Sequence, residues 1–234
     1  LSTTAWFEYG TISGSFGSKT SPQSVSGASD TAVSGVVSGL SPGNTCYYRI
    51  VAQNNAGTTY GNEMSFTTVD TSAPNCLISI NNGALYTNSS IVSLTLSSTD
   101  DVGVTGYYLS ASSSTPLASA TGWTLVTSTT SYTGSVSYTL NSGDGDKTVY
   151  AWYKDAAGNV STAVSDSITL DATAPMITIT SPTSSSTYTT TSNTISLGGS
   201  TSDSMSGAGV VTWCNSKGGS GTASGTNSWS ISNV

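Results

Sequence analysis

A unit of about 100 residues occurs more than once in this chain, and no other feature constrains the fold as strongly. Asp70-Thr71-Ser72-Ala73-Pro74 returns as Asp171-Ala172-Thr173-Ala174-Pro175. A short alternating run follows each, Leu77 to Ile80 and then Ile177 to Ile179. Tyr86 matches Tyr188, and the run from Ile91 to Leu96 matches Thr194 to Leu197. A second half of the unit also repeats. Cys46 to Ala52, followed by Asn55-Ala56-Gly57, is answered by Val149 to Tyr153 and then Asp155-Ala156-Ala157-Gly158-Asn159. A small-residue turn between two alternating runs is a hairpin signal.

The period within each run is two, which places alternate side chains on opposite faces of a strand. No stretch carries a sustained 3.6-residue period, so almost no helix is expected. The spacing of the middle unit predicts strands near 76–80, 91–97, 104–110, 123–127, 134–140, 147–154 and 163–170. Short strands with regularly spaced turns in about 100 residues predict a sandwich of the immunoglobulin type. The expected fold class is all-β, in tandem sandwiches incomplete at both ends. The divisions are 1–69 (first two strands absent), 70–170 (complete) and 171–234 (last strands absent). A sheet does not leave half its core in water. Two explanations stand for the partial units: a longer polypeptide, or strands supplied by a neighbouring molecule.

Composition separates this reading from disorder. Charged residues are only 7% of the chain, yet apolar residues reach 35%, with twelve tyrosines and five tryptophans. The net charge of −7 and the absence of any basic run argue against nucleic acid and anionic membranes as partners. No run of about 18 apolar residues offers a membrane span. Histidine is absent, which removes Ser-His-Asp and Cys-His catalysis and mixed-ligand zinc sites. The expectation is a non-enzyme.

Leu40-Ser41-Pro42-Gly43, leading into Cys46 to Asn54, resembles the E–F corner and F strand of fibronectin type III domains. Cys46 occupies the corner position where that family usually has tyrosine. The Asp-x-x-Ala-Pro starts and the Lys154 to Asn159 hairpin are similar to bacterial Ig-like repeats. The resemblance covers essentially the whole chain. It implies a segment of an extracellular bacterial surface protein, a rod-like spacer, adhesive or filament-forming component. A polymer subunit completed by strand exchange, and an accessory module of a secreted carbohydrate-active enzyme, are the alternatives. Expected partners are other copies or neighbouring domains of the same protein, and glycans.

Calcium is the one cofactor the residues suggest. In this topology Asp70 lies near Asp100, Asp101 and Asp155, and Asp171 lies near Asp203, with Asp144 and Asp146 facing the second junction. Clustered carboxylates with loop carbonyls suit Ca²⁺, a hard ion taking six to eight oxygens. The competing reading is that each aspartate closes a turn through its own side chain. Cys46 and Cys76 are placed for a bridge across the first junction, although strand alternation also points Cys46 into its own core. Asn88-Ser89-Ser90 and Asn159-Val160-Ser161 match the N-glycosylation sequon. Ser112 to Thr115 and Ser184 to Thr191 are O-glycan candidates. Trp6, Trp152 and Trp213 are expected in the core, whereas Trp123 with Tyr107 and Tyr108 is a candidate exposed aromatic patch.

Overall fold

A computed structural model describes residues 2–27 and 29–234. The chain is all-β, with one 3₁₀ turn at Asn81–Gly83 and no α-helix among the described residues. Strand pairing is confined to three successive stretches, and no ladder among the described residues crosses Asp70 or Asp171.

The first stretch holds β1 (Thr3–Gly10), β2 (Ser18–Lys19), β3 (Gln23–Val25), β4 (Thr45–Asn54), β5 (Gly57–Tyr60) and β6 (Met64–Thr67). β1 pairs antiparallel with β4, and β4 pairs in turn with β5 and β6. Directly opposed residues share a face. Ala5, Phe7 and Tyr9 therefore lie with Ala52, Ile50 and Tyr48, and Cys46 lies with Phe66. This face is apolar. Ala5 and Cys46 are buried on it, but Phe66 and Met64 remain 41% and 57% exposed.

The second stretch holds β7 (Asn75–Ile80), β8 (Tyr86–Thr87), β9 (Ile91–Ser110), β10 (Thr124–Thr139), β11 (Gly145–Asp155) and β12 (Val164–Leu170). The order is β10-β9-β11-β12-β8, with β7 also on β9. The runs expected at 91–97 and 104–110 join into β9, and those at 123–127 and 134–140 join into β10. β9 and β10 pair from Ile91 to Tyr107, with register shifts where Val126–Ser128 stands opposite Thr105 and where Asp100–Gly103 bulges out opposite Thr130. Such a bulge bends a strand and increases its twist. Here it lets β9 pair with β7 on one side of the bend and with β11 on the other. β8 pairs parallel with β12, a strand that the alternation does not announce.

Around this frame lies the main core. Val92, Leu94 and Leu96 of β9, Val149, Ala151 and Tyr153 of β11, and Ile168 and Leu170 of β12 are buried together with Ile80. Trp152 is also fully buried, but by strand alternation it lies on the opposite face of β11. There it meets Tyr108 edge-on and stacks on Tyr150. Tyr107 is core, contrary to its placement in an exposed patch. Tyr108 and half-buried Trp123 meet edge-on, and the Lys154 ammonium lies 4.9 Å from the Trp123 ring centre.

The third stretch holds β13 (Met176–Ser181), β14 (Leu197–Ser202), β15 (Thr212–Cys214), β16 (Ser220–Thr222) and β17 (Ser228–Ile231), in sheets β13-β14-β17 and β15-β16. A small cluster of Val211, Ala223, Trp229 and Ile231 is buried, with half-buried Trp213 packed against it. Cys214 is exposed.

Candidate metal centre

Two core stripes end in carboxylates. In β9 the buried positions run Val92, Leu94, Leu96, Ser98 and Asp100, and in β11 they run Val149, Ala151, Tyr153 and Asp155. The same period of two that fills the core thus carries Asp100 and Asp155 onto its upper end. Asp70, in the segment between β6 and β7, is the third member. One carboxylate oxygen of each lies within 4.8 Å of those of the other two. All three residues are buried, at 6% exposure for Asp70, 9% for Asp100 and 3% for Asp155.

In Asp70 and Asp100 the two oxygens have different roles. Asp70 Oδ1 accepts the Ser72 N–H at 3.0 Å. Asp100 Oδ1 accepts the N–H groups of Val102 at 3.0 Å and Gly103 at 2.6 Å. These are turn-closing bonds. Oδ2 of Asp70 and Oδ2 of Asp100 are buried and have no hydrogen-bond partner. Turn closure therefore accounts for half of each carboxylate and leaves the other half unexplained. Asp155 is better supplied. Its Oδ1 accepts from Gly158 and Asn159 N–H, and its Oδ2 accepts from Asn159 Nδ2 at 2.6 Å.

Among the described residues no salt bridge reaches this cluster. The salt bridge found among the described residues joins Arg49 to Glu8 in the first sheet. At Asp70 the Ser72 N–H bond draws the carboxyl down. Desolvation and the charges of Asp155, Asp100 and Asp101 outweigh it and hold the group above the ordinary carboxylate range. Like charges and lost hydration both disfavour the ionised form, and a bound cation would relieve both.

Asp101 is exposed and stands outside the triad, although its charge reaches Asp70. Asp146 is exposed and accepts the Thr169 hydroxyl at 2.6 Å. At the second boundary Asp171 Oδ1 accepts Thr173 N–H and its Oδ2 accepts Ser206 N–H. Asp144 Oδ1 accepts Ala172 N–H and its Oδ2 takes the Thr173 hydroxyl. Asp203 Oδ1 accepts from Met205 and Gly207 N–H. Bonds from the Ser206 side chain and N–H hold Asp171 below the usual carboxylate range, and the Thr173 hydroxyl followed by Ala172 N–H does so for Asp144. Protein donors thus reach both oxygens of Asp144 and Asp171, and among the described residues no carboxylate oxygen of this second group is buried without a partner.

Asn159 does not offer a free amide for a glycan. Its Nδ2 donates to Asp155 and also to the Asp70 carbonyl at 3.2 Å, tying the β11–β12 turn to the segment before β7. Asn88 is exposed. Cys46 and Cys76 are free thiols rather than a bridge, as is Cys214. Cys46 is buried within its own sheet, and the Cys76 sulfur sits 3.3 Å from the Pro74 carbonyl. The role of Asn159 escaped the sequence reading. Its signal was the inward stripe of β11, which ends on Asp155 at the start of the turn containing Asn159.

The chain matches no protein-family model and no curated protein.

Proposed function

We propose that this chain is a non-enzymatic, extracellular segment of a bacterial surface protein. It is a rod-like spacer or adhesive stretch of tandem Ig-like and fibronectin type III-like sandwiches, divided at 69/70 and 170/171. A divalent cation of the calcium type is held by Asp70, Asp100 and Asp155 at the first division. The observation that carries this reading is the pair of buried, unpartnered carboxylate oxygens in a cluster contributed by the linker and by two strands of the next unit. Oxygen-only donors suit calcium, and an ion there would join the linker to the body of that unit. No helix among the described residues is long and apolar enough to cross a membrane.

Calorimetric titration with Ca²⁺ and, separately, Mg²⁺ tests the reading. Calcium is expected to bind with a dissociation constant of about 10⁻⁴ to 10⁻³ M, in the range of extracellular sites. At tenfold excess over that constant it should raise the melting temperature by roughly 5 °C. Asp100→Asn keeps an acceptor for the turn but removes the charge, and should abolish the calcium heat. Unchanged binding in that variant would assign the ion elsewhere, and absence of binding in the wild type would return the aspartates to turn closure.

A second reading, a subunit of an extracellular polymer, is favoured by the apolar face of the first sheet and by Ile177 and Ile179 of β13, which are 56% and 53% exposed. Strands from a neighbouring copy would cover such faces. Sedimentation over a concentration series separates the two, since a spacer stays monomeric and a polymer subunit does not.

A further inference from the structure

Asp100 connects the carboxylate triad to a contact between the first two strand systems. Its Oδ1 holds the Val102 and Gly103 N–H groups and so sets the shape of the β9 bulge. Gly103 has φ of +145°, and a Cβ there would meet Ser128 Oγ at 2.5 Å, so this shape suits glycine. The bulge presents Val102 to the turn before β4. A Cβ on Gly43 would lie 3.1 Å from Val102 Cγ1 and 3.2 Å from Cγ2, and Gly43 itself is left-handed at φ +66°. The Gly43 N–H is bonded to the Thr68 carbonyl, two residues before Asp70. Glycine thus opens a seat that the valine occupies, beside the linker that supplies the third carboxylate.

The device recurs at the second boundary. Asp203 Oδ1 holds the Met205 and Gly207 N–H groups, and Met205 Cε lies 3.6 Å from where a Cβ on Gly145 would be. Gly145 opens β11, much as Gly43 precedes β4. The second knob therefore follows an aspartate-shaped loop and lies at ordinary contact distance from a glycine whose φ of +111° favours that residue, and among the described residues no carboxylate oxygen there is buried without a partner.

We propose that Val102 transmits cation occupancy of the triad to the joint between the first and second units, making that joint cation-tuned. This rests on reading the triad as a cation site. An ion drawing on Asp100 Oδ2 fixes the carboxylate whose Oδ1 shapes the bulge, and the bulge positions the knob in the Gly43 seat. Loading then stiffens the joint, because a packed contact tolerates few alternative arrangements.

The test uses the full chain, with calcium binding followed by calorimetry and joint motion by ¹⁵N relaxation and small-angle X-ray scattering, each in calcium and in chelator. In the wild type, calcium should make the first two units tumble together and narrow the scattering-derived size distribution. Val102→Ser and the milder Val102→Ala should still bind calcium but lose that calcium-dependent change. Met205→Ser should loosen the second joint equally in calcium and chelator. Calcium binding by the wild type with no change in joint motion, or full calcium-dependent stiffening in both Val102 variants, would overturn the proposal. Absence of calcium binding in the wild type would overturn the cation reading and this inference with it. The calorimetric result separates that failure from a failure of the coupling alone.

Discussion

At the residue scale, the environment of each aspartate matters more than its charge. Asp70 and Asp144 are both near unit boundaries, yet they are displaced in opposite directions. Asp70 faces like charges, whereas Asp144 accepts bonds from Thr173 and Ala172. Linkage then gives opposite pH dependences. The raised Asp70 carboxyl contributes stability below its unfolded-state value, and this is lost as pH rises through its folded value. The depressed carboxyls of Asp144 and Asp171 contribute above their unfolded-state values, and that is lost as pH falls through their folded values. Carboxyl NMR titration should therefore find Asp70 above the ordinary aspartate range and Asp144 and Asp171 below it. Saturating calcium should move Asp70 downward and leave Asp144 and Asp171 in place, because cation and proton compete for the same oxygen at the site. An Asp70 midpoint indifferent to calcium would count against the site.

At the element scale, β9 and β10 carry the architecture. Both are long because the chain turns a corner without breaking its ladder, and the bulge at Asp100–Gly103 is the corner. Leu96 is fully buried just before it. Leu96→Ala should cost about 2–5 kcal/mol of stability in urea titration, the range for deleting a large buried side chain. Gly103→Ala combines an unfavourable φ with the approach to Ser128. It should cost about 1–3 kcal/mol and weaken calcium binding, since the misplaced bulge takes Asp100 with it. Calcium affinity equal to wild type in a folded Gly103→Ala protein would show that the bulge does not position the ligand.

At the scale of the whole molecule, the question is how three strand systems behave as one object. The linkers at Asp70 and Asp171 are short, hydrogen-bonded and bordered by the contacts of Val102 with Gly43 and of Met205 with Gly145. The expected behaviour is an extended rod in calcium, and chelation should add bending at one joint only. Electron micrographs of single particles with and without chelator would show the bend positions. Equal bending at both joints would contradict the difference between the two aspartate groups.

Much of this was legible in the amino-acid order. The alternation placed the strands at 76–80, 147–154 and 163–170 within about two residues of β7, β11 and β12. The expected sandwich topology put Asp70 near Asp100, Asp101 and Asp155, because strand direction decides which loops share an end, and the first, second and fourth of these do come together. Periodicity could not reveal that β9 and β10 run through their corners, since a bulge changes which face a residue serves without leaving a turn signal. It also could not separate Asp101 from Asp100, as adjacent residues differ only in the side they face. Local spacing determined that the chain forms strands and that carboxylates gather where strands end. Only the tertiary structure decided which oxygens were satisfied, which were left buried and open, and that Asn159 spans to the linker. Those outcomes depend on distances between groups up to 89 residues apart, and packing alone sets such distances.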